Sequence, residues 1–257
     1  MSRGIDPTRW GGLWIIGLLV LGLAWPAAAQ SAKAPVQQAQ RFQKKITKTL
    51  SLQYLLFLPA DYGRDHKKKW PLVLSLHGAG QRGDSLDLVK LDGIPKIVEE
   101  QPDFPAIAIS PQCPQDGSWT AELQLDALEG LLDQVTKKYR VDPDRVYLTG
   151  LSMGGYGTWA LAMRQPKRFA ALVPICGGGD ATRAILLKDV PVWVFHGAKD
   201  EVVPPEESQR MYTALKACGA DVRFTLYPEA DHLSWVPAYA DPALYEWLFQ
   251  QRRKNGS

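Results

Sequence analysis

RVYLTGLSMGGYGTWALAMRQ, residues 145–165, is the stretch of sequence that decides the fold prediction. Its first six residues have the apolar, β-branched and aromatic character of a strand, and TWALAMRQ at its end predicts a helix. Between them, Gly150, Ser152 and Gly154 form the pattern G-x-S-x-G, which is typical of a sharp strand-to-helix turn. Glycine two residues before and after the serine lets neighbouring backbone approach closely. The pattern therefore predicts that Ser152 ends a strand with its hydroxyl exposed.

On both sides of this stretch, strand and helix patterns alternate. Further strands are predicted at residues 54–59, 71–76, 106–110, 170–176, 191–197 and 222–228. Further helices are predicted at residues 125–139, 204–219 and 243–253. The charged segment DYGRDHKKK, between the first two strands, is interpreted as a hairpin-like loop. With 46% apolar and 22% charged residues, the chain is not disordered. The alternation predicts one α/β domain with a mostly parallel sheet and helices on both faces.

Polar residues that directly follow strands are the candidate site, because ligands of such sheets bind beyond the carboxyl ends of the strands. Ser152, Asp200 and His232 all occupy such positions, in the chain order serine, acid, histidine. A serine needs a base to become a nucleophile, and the base needs a carboxylate to orient it. We therefore expect Ser152 as nucleophile, His232 as general base and acid, and Asp200 as the orienting carboxylate. Glu201 and Asp231 remain alternatives for the orienting role.

The glycine-rich turn HGAGQRG, residues 77–83, follows the strand at 71–76. Its glycines fit the dinucleotide-binding pattern G-x-G-x-x-G, but no helix is predicted to open directly on it. An oxyanion hole also needs exposed backbone amides. We expect one donor at Met153, after the nucleophile, and a second at Ala79, with Gly78 or Gly80 as alternatives. The histidines at 77 and 196 are interpreted as structural.

Six motifs resemble the α/β-hydrolase superfamily, and within it the branch of phospholipase/carboxylesterases and of esterase/polyhydroxyalkanoate-depolymerase-like proteins, which includes predicted peptidases. They are HGAGQRG, SPQCPQDGSW, TGLSMGGYGTWALA, PICGGGD, VFHGAKDEVVP and DHLSW, within residues 46–252. The resemblance implies an α/β-hydrolase fold with a central sheet of about eight strands. It also implies a Ser–His–Asp mechanism without a cofactor, and frequently no large lid.

The predicted activity is hydrolysis of carboxylic esters through an acyl-enzyme on Ser152. Only 47 residues separate Ser152 from Asp200, which leaves little room for a lid domain. An open site favours small acyl groups, aryl acids or polymer-borne esters. Trp119, Tyr156 and Trp235 are candidate walls of the substrate pocket, with core packing as the alternative for each. A serine peptidase or amidase, and a non-catalytic binding protein on the same fold, remain alternative functions.

The N-terminus predicts export. Residues 1–29 combine arginines, an apolar run and a small-residue site, which together indicate a signal peptide cleaved after Ala29. We expect a secreted or periplasmic protein without stable membrane insertion; an uncleaved membrane anchor is the alternative. Residues 30–45 are interpreted as a mobile linker and residues 46–257 as the catalytic domain. A net charge of +3 is too small to indicate nucleic-acid binding, and the oligomeric state is not indicated.

Cysteine usage indicates neither a metal nor a cofactor. Cys113, Cys176 and Cys218 show no C-x-x-C spacing, so no metal site is expected. In an exported protein two of the three could pair. Burial as small apolar residues is the slightly favoured interpretation.

Overall fold

The structure is a computed structural model that describes residues 40–45 and 47–253. The predicted signal peptide and most of the predicted linker lie outside the described residues. Residues 40–45 form neither helix nor strand, and a compact unit begins at Lys48. Across the described residues, we find no helix with the length and apolar character required to span a bilayer.

The central sheet has seven strands in the described part of the chain. They are β1 (Tyr54–Phe57), β2 (Trp70–Leu76), β3 (Ile107–Pro111), β4 (Val141–Leu151), β5 (Ala171–Ile175), β6 (Val192–Gly197) and β7 (Val222–Tyr227). Their order is β1-β3-β2-β4-β5-β6-β7, and every neighbouring pair is parallel except β1 with β3. Each residue of β2, β3 and β5 is buried, as expected for parallel strands covered on both faces.

The described residues form seven strands, close to the expected number of about eight. One expectation about the first strands needs correction. The segment between β1 and β2 does not close a hairpin, because β3 lies between these two strands in the sheet. The sequence pattern identified both strands correctly. The pattern also identified β3, but it carries no information on which strands pair, and β3 forms its hydrogen bonds with both β1 and β2.

Within residues 47–253, seven α-helices accompany the sheet. They are α1 (Leu86–Val89), α2 (Gly93–Glu100), α3 (Glu122–Lys138), α4 (Met153–Arg164), α5 (Glu206–Ala217), α6 (Trp235–Ala240) and α7 (Pro242–Gln250). The sequence predicted α3, α4, α5 and α7. It missed three short helices: α1, which has four residues; α2, which begins with a glycine at φ +70° and has a proline in its first turn; and α6, which has six residues and contains Pro237. Glycine and proline in such short segments are typical of turns.

Two apolar cores cover the two faces of the sheet. On one face, Leu128 of α3 and Leu215 of α5 belong to the same buried apolar cluster as Leu74 of β2. On the other face, Ile94 of α2 and Trp247 of α7 pack with the alternate β-strand side chains. The helices therefore cover both faces of the sheet.

The register of the parallel strands aligns their carboxyl ends. Leu76 of β2 lies opposite Gly150 of β4, and Leu151 lies opposite Ile175 of β5. Gly197, the last residue of β6, lies opposite Tyr227, the last residue of β7. The loops that follow β2, β4, β6 and β7 consequently emerge at one edge, where the candidate site residues lie.

Candidate active site

Ser152 joins β4 to α4 in a strained backbone conformation. Its φ of 52° lies in the left-handed region, which a residue other than glycine rarely adopts. The glycines predicted to permit this turn are needed: a Cβ at Gly150 would overlap the carbonyl oxygen of Gly154, and a Cβ at Gly154 would overlap that of Leu76. The tight turn leaves the Ser152 side chain partly exposed at the start of α4.

The histidine and serine side chains are in direct hydrogen-bonding contact. Nε2 of His232 lies 3.0 Å from Oγ of Ser152, although 80 residues separate them in the chain. Nδ1 of His232 lies 2.8 Å from Oδ2 of Asp200. The structure therefore brings together the three side chains that the sequence singled out. The alternative carboxylates lie elsewhere: Glu201 is exposed, and Asp231 accepts a hydrogen bond from the backbone amide of Leu233.

Asp200 is a buried carboxylate with several donors. Oδ1 accepts the backbone amides of Val202 and Val203, each at 2.9 Å. Burial raises the pKa of Asp200, but hydrogen bonds from His232 and from these two amides outweigh burial and hold the pKa below its usual value. An ionised carboxylate only accepts hydrogen bonds. The His232 proton therefore resides on Nδ1, which leaves Nε2 free to accept the Ser152 hydroxyl proton.

His196 is a site residue whose contact with the acid the sequence reasoning did not predict. Its Nε2 lies 3.1 Å from Oδ2 of Asp200 and 2.9 Å from the carbonyl oxygen of Val203, and the residue is fully buried. Because both partners are acceptors, Nε2 carries a proton and donates to them. The expected structural role, bonding backbone, agrees with the Val203 contact. The spacing to Asp200, four residues across a turn, was the available signal.

The turn that follows β2 lies against the serine turn. A Cβ on Gly78 would lie 2.9 Å from Cδ1 of Leu151, the residue before Ser152. Residues Ala79–Gln81 form a single 3₁₀ turn. Among the described residues, neither the amide of Ala79 nor that of Met153 has a hydrogen-bond acceptor. These are the two expected oxyanion donors, and both remain available to a ligand. The sequence predicted no helix opening directly on this turn; the structure has a three-residue 3₁₀ helix within the turn, and the four-residue α1 begins at Leu86.

A family model described as the dienelactone hydrolase family matches residues 42–237, which is most of the chain. The chain belongs to the dienelactone hydrolase family. The predicted superfamily and the α/β-hydrolase fold are thereby confirmed.

Three proteins illustrate what this chain is similar to. A thermostable esterase of known structure has a TM-score of 0.69 and 37% identity, over 79% of this chain and 60% of that chain. A bifunctional acetylxylan esterase/xylanase of Neocallimastix patriciarum is 28% identical over 143 residues, 52% of this chain and 20% of that protein. Poly(3-hydroxyalkanoate) depolymerase C of Paucimonas lemoignei is 38% identical over 52 residues, 20% of this chain and 13% of that protein. The chain thus covers less than two thirds of each.

The three predicted pocket residues, Trp119, Tyr156 and Trp235, differ in how far they are exposed to solvent. Trp119 was a candidate wall, but it is fully buried, and its indole N–H donates to the carbonyl oxygen of His77 at 3.0 Å. It supports the 77–83 turn from below, and the pocket interpretation is wrong for this residue. Tyr156 is partly exposed, one helical turn after Ser152. The Trp235 ring is mostly buried and lies 5.3 Å from the His232 ring, edge to face.

A cluster of metal-ligating atoms coincides with the same site. The Cys176 sulfur lies within 4.8 Å of ligand atoms of Asp200 and His232. Burial raises the pKa of the Cys176 thiol to about 12, and metals bind the thiolate rather than the thiol. The Asp200 and His232 atoms are already paired with each other. These donors do not favour a resident metal. None of the three cysteines, all in the described part of the chain, forms a disulfide, and Cys113 and Cys176 are buried.

His77 fixes the conformation of the 77–83 turn as a neutral ring. Its Nε2 accepts the backbone amide of Cys113 at 3.0 Å, so its proton resides on Nδ1, which donates to the Gly78 carbonyl oxygen at 2.6 Å. Burial lowers the pKa of His77 from its ordinary 6.5 to about 4; the Gly78 bond opposes this effect and the charge of Arg82 reinforces it. A second proton would remove the acceptor that holds the Cys113 amide.

The depressed pKa of His77 predicts acid sensitivity. Above pH 6.5 the ring is neutral in the folded and unfolded chains, whereas between pH 6.5 and 4 only the unfolded chain takes up the proton. The free energy of unfolding should therefore fall over this range, by up to about 3 kcal/mol from this group. Urea unfolding of the wild type and of His77→Gln, measured at about pH 7 and about pH 4.5, isolates the contribution. Equal losses in both proteins would contradict this assignment.

Proposed function

We propose that the protein hydrolyses carboxylic esters through an acyl-enzyme formed on Ser152. The observation that carries the proposal is the continuous chain of hydrogen bonds from the Ser152 hydroxyl through His232 to Asp200. Membership of the dienelactone hydrolase family and the likeness to a thermostable esterase support the reaction class. Arrangements of this kind activate a hydroxyl that is otherwise a weak nucleophile.

In the first half of the proposed reaction, the Ser152 oxygen attacks the acyl carbon while Nε2 of His232 takes the hydroxyl proton. The resulting imidazolium is stabilised by the ionised Asp200. The carbonyl oxygen becomes an oxyanion that accepts the amides of Ala79 and Met153. His232 then gives its proton to the leaving alcohol, and the ester C–O bond breaks. The product of this half-reaction is an acyl ester of Ser152 and a free alcohol.

In the second half, water replaces the alcohol. His232 takes a proton from water, the resulting hydroxide attacks the acyl carbon, and a second oxyanion forms in the same hole. The bond to Ser152 breaks as His232 returns its proton to the serine oxygen. The enzyme is regenerated and the carboxylic acid leaves. Every proton transfer uses one ring nitrogen, which explains why the fixed tautomer of His232 matters.

The proposed substrates are esters of small or aryl acids, either as small molecules or attached to a polymer. Tyr156 and Trp235 are the remaining candidates for contact with the acyl group. Burial raises the pKa of the Tyr156 hydroxyl, so it stays protonated and can donate a hydrogen bond at neutral pH. The acetylxylan esterase and depolymerase relatives favour polymer-borne esters. We propose that this activity operates outside the cytoplasm, since the sequence of residues 1–29 predicts export.

The experiment for this proposal compares an ester and an amide of the same acyl group. With p-nitrophenyl acetate we expect a rapid release of p-nitrophenol equivalent to the enzyme present, followed by steady turnover, because the good phenol leaving group makes acylation faster than deacylation. A fluorophosphonate probe should label Ser152, as identified by peptide mass spectrometry. Faster turnover of the amide would favour a peptidase or amidase. Neither labelling nor turnover would identify a non-catalytic binding protein.

A further inference from the structure

Asp92 directly precedes α2, in the position where an aspartate ordinarily caps the helix. An N-cap carboxylate typically accepts a backbone amide of the first turn. Here the Asp92 side chain makes no such bond. Its two oxygens accept side-chain donors from the 77–83 turn and from the start of α6 instead: Nε2 of Gln81 donates to Oδ2 at 2.8 Å, and Nε1 of Trp235 donates to Oδ1 at 3.0 Å. The Asp92 carboxylate therefore does not cap α2. It links two side chains that lie 11 and 143 positions away in the sequence, those of Gln81 and Trp235.

The first partner, Gln81, belongs to the turn with the expected oxyanion donor. Gln81 is buried and ends the 3₁₀ turn that includes Ala79. Its backbone amide donates to the Gly78 carbonyl oxygen at 3.2 Å, and its own carbonyl accepts Nε2 of Gln112 at 3.0 Å. The hydrogen bond from the Gln81 side chain to Asp92 therefore attaches the start of helix α2 to the short segment that carries the Ala79 amide.

The second partner, Trp235, lies beside the candidate base. Its ring centroid is 5.3 Å from that of His232, with the two ring planes at 87°. Trp235 and Asp92 also line a cavity of about 500 Å³, together with Ile97 and Tyr239. Close packing is therefore incomplete beside the indole, and the hydrogen bond to Asp92 fixes its orientation.

We infer that Asp92 is a positioning residue. It holds the 77–83 turn, which carries the Ala79 amide, and residues 232–236, which include His232, at a fixed distance and orientation from each other. This inference rests on the proposed function, because the relevance of that geometry depends on the roles of Ala79 and His232. Errors of about 1 Å in the placement of reacting groups cost on the order of 100-fold in rate. Loss of the carboxylate should therefore lower kcat, while KM should change by a smaller factor, through the indole of Trp235, which is also a candidate for contact with the acyl group.

The test compares Asp92→Ala and Asp92→Asn with Asp87→Asn, which removes an exposed carboxylate in the neighbouring helix α1. Reactive sites are counted with a fluorophosphonate, so that kcat refers to folded enzyme. We expect a kcat about 10- to 100-fold lower for Asp92→Ala at a KM within about threefold of the wild type. Asp92→Asn keeps one acceptor oxygen and should be intermediate, and Asp87→Asn should match the wild type. An unchanged kcat in Asp92→Ala would overturn the inference.

A comparison between a double and a triple variant distinguishes positioning from a general loss of stability. Gln81→Met and Trp235→Phe each remove one donor while keeping a side chain of similar volume. If Asp92 acts through these donors, then adding Asp92→Ala to the Gln81→Met, Trp235→Phe protein should lower kcat by less than about twofold. A full additional 10- to 100-fold loss would show that the carboxylate acts by another route.

Amide hydrogen exchange provides a readout that does not depend on activity. In Asp92→Ala, residues 78–83 and 232–236 should exchange faster together, because one tether has been removed from both, while α3 keeps its wild-type rate. If the wild-type protein hydrolyses no ester, the proposed function fails, but faster exchange in both segments would still support the tether. Unchanged exchange in either segment would overturn the tether whatever the activity.

Discussion

Replacing Ser152 with alanine is expected to lower kcat for p-nitrophenyl acetate by about 10⁶-fold and to abolish fluorophosphonate labelling. Alanine removes the only atom that forms the proposed acyl bond, so the remaining groups have no covalent step to assist. The free energy of unfolding should change little, because the hydroxyl is partly exposed and its partner is the His232 ring.

The control is Ser51→Ala, which removes an exposed hydroxyl and should keep wild-type activity. Circular dichroism and Tm should be the same for both variants, so that loss of activity does not reflect unfolding. Turnover of Ser152→Ala above about one thousandth of the wild-type rate would mean that another residue is the nucleophile.

Asp200→Asn is expected to lower kcat by about 10⁴-fold. The amide nitrogen donates where the carboxylate accepted, so the variant favours the His232 tautomer with its proton on Nε2. That nitrogen then faces Ser152 as a donor and can no longer take the hydroxyl proton. The buried contact with His196 loses part of its acceptor in the same change, so a moderate loss of stability is expected as well.

Asp231→Asn and Glu201→Gln are matched controls for Asp200→Asn. Both make the same chemical change at neighbouring exposed carboxylates that were alternatives for the orienting role. Each should retain kcat within about threefold of the wild type, measured per fluorophosphonate-reactive site. A larger loss in Asp231→Asn than in Asp200→Asn would assign the orienting role to Asp231.

Local sequence was sufficient to place the three proposed catalytic side chains. Ser152 follows from one short pattern, and Asp200 and His232 follow from their positions after predicted strands. Because parallel strands end at the same edge of the sheet, residues that follow different strands are brought close together. The close approach of neighbouring backbone to Gly150 and Gly154 was also predictable, because the strand-to-helix turn at Ser152 requires it.

Contacts between distant segments were not predictable in this way. The Trp119 ring lies beneath the 77–83 turn because its N–H bonds the His77 carbonyl, and no local pattern connects residues 42 positions apart. Local patterns also do not connect Asp92 with its partners Gln81 and Trp235, or predict the insertion of β3 between β1 and β2. A single sequence specifies elements and their ends. The partner that each polar group selects depends on the assembled fold.

The state of the cysteines has a practical consequence. Cys113, Cys176 and Cys218 remain thiols, so none of the described loops depends on a covalent cross-link. The unit that begins at Lys48 should therefore reach the same fold in a reducing cytoplasm as in an oxidising compartment, without disulfide-forming enzymes during maturation. Production in an ordinary bacterial host, with reductant present throughout purification, should yield fully competent protein.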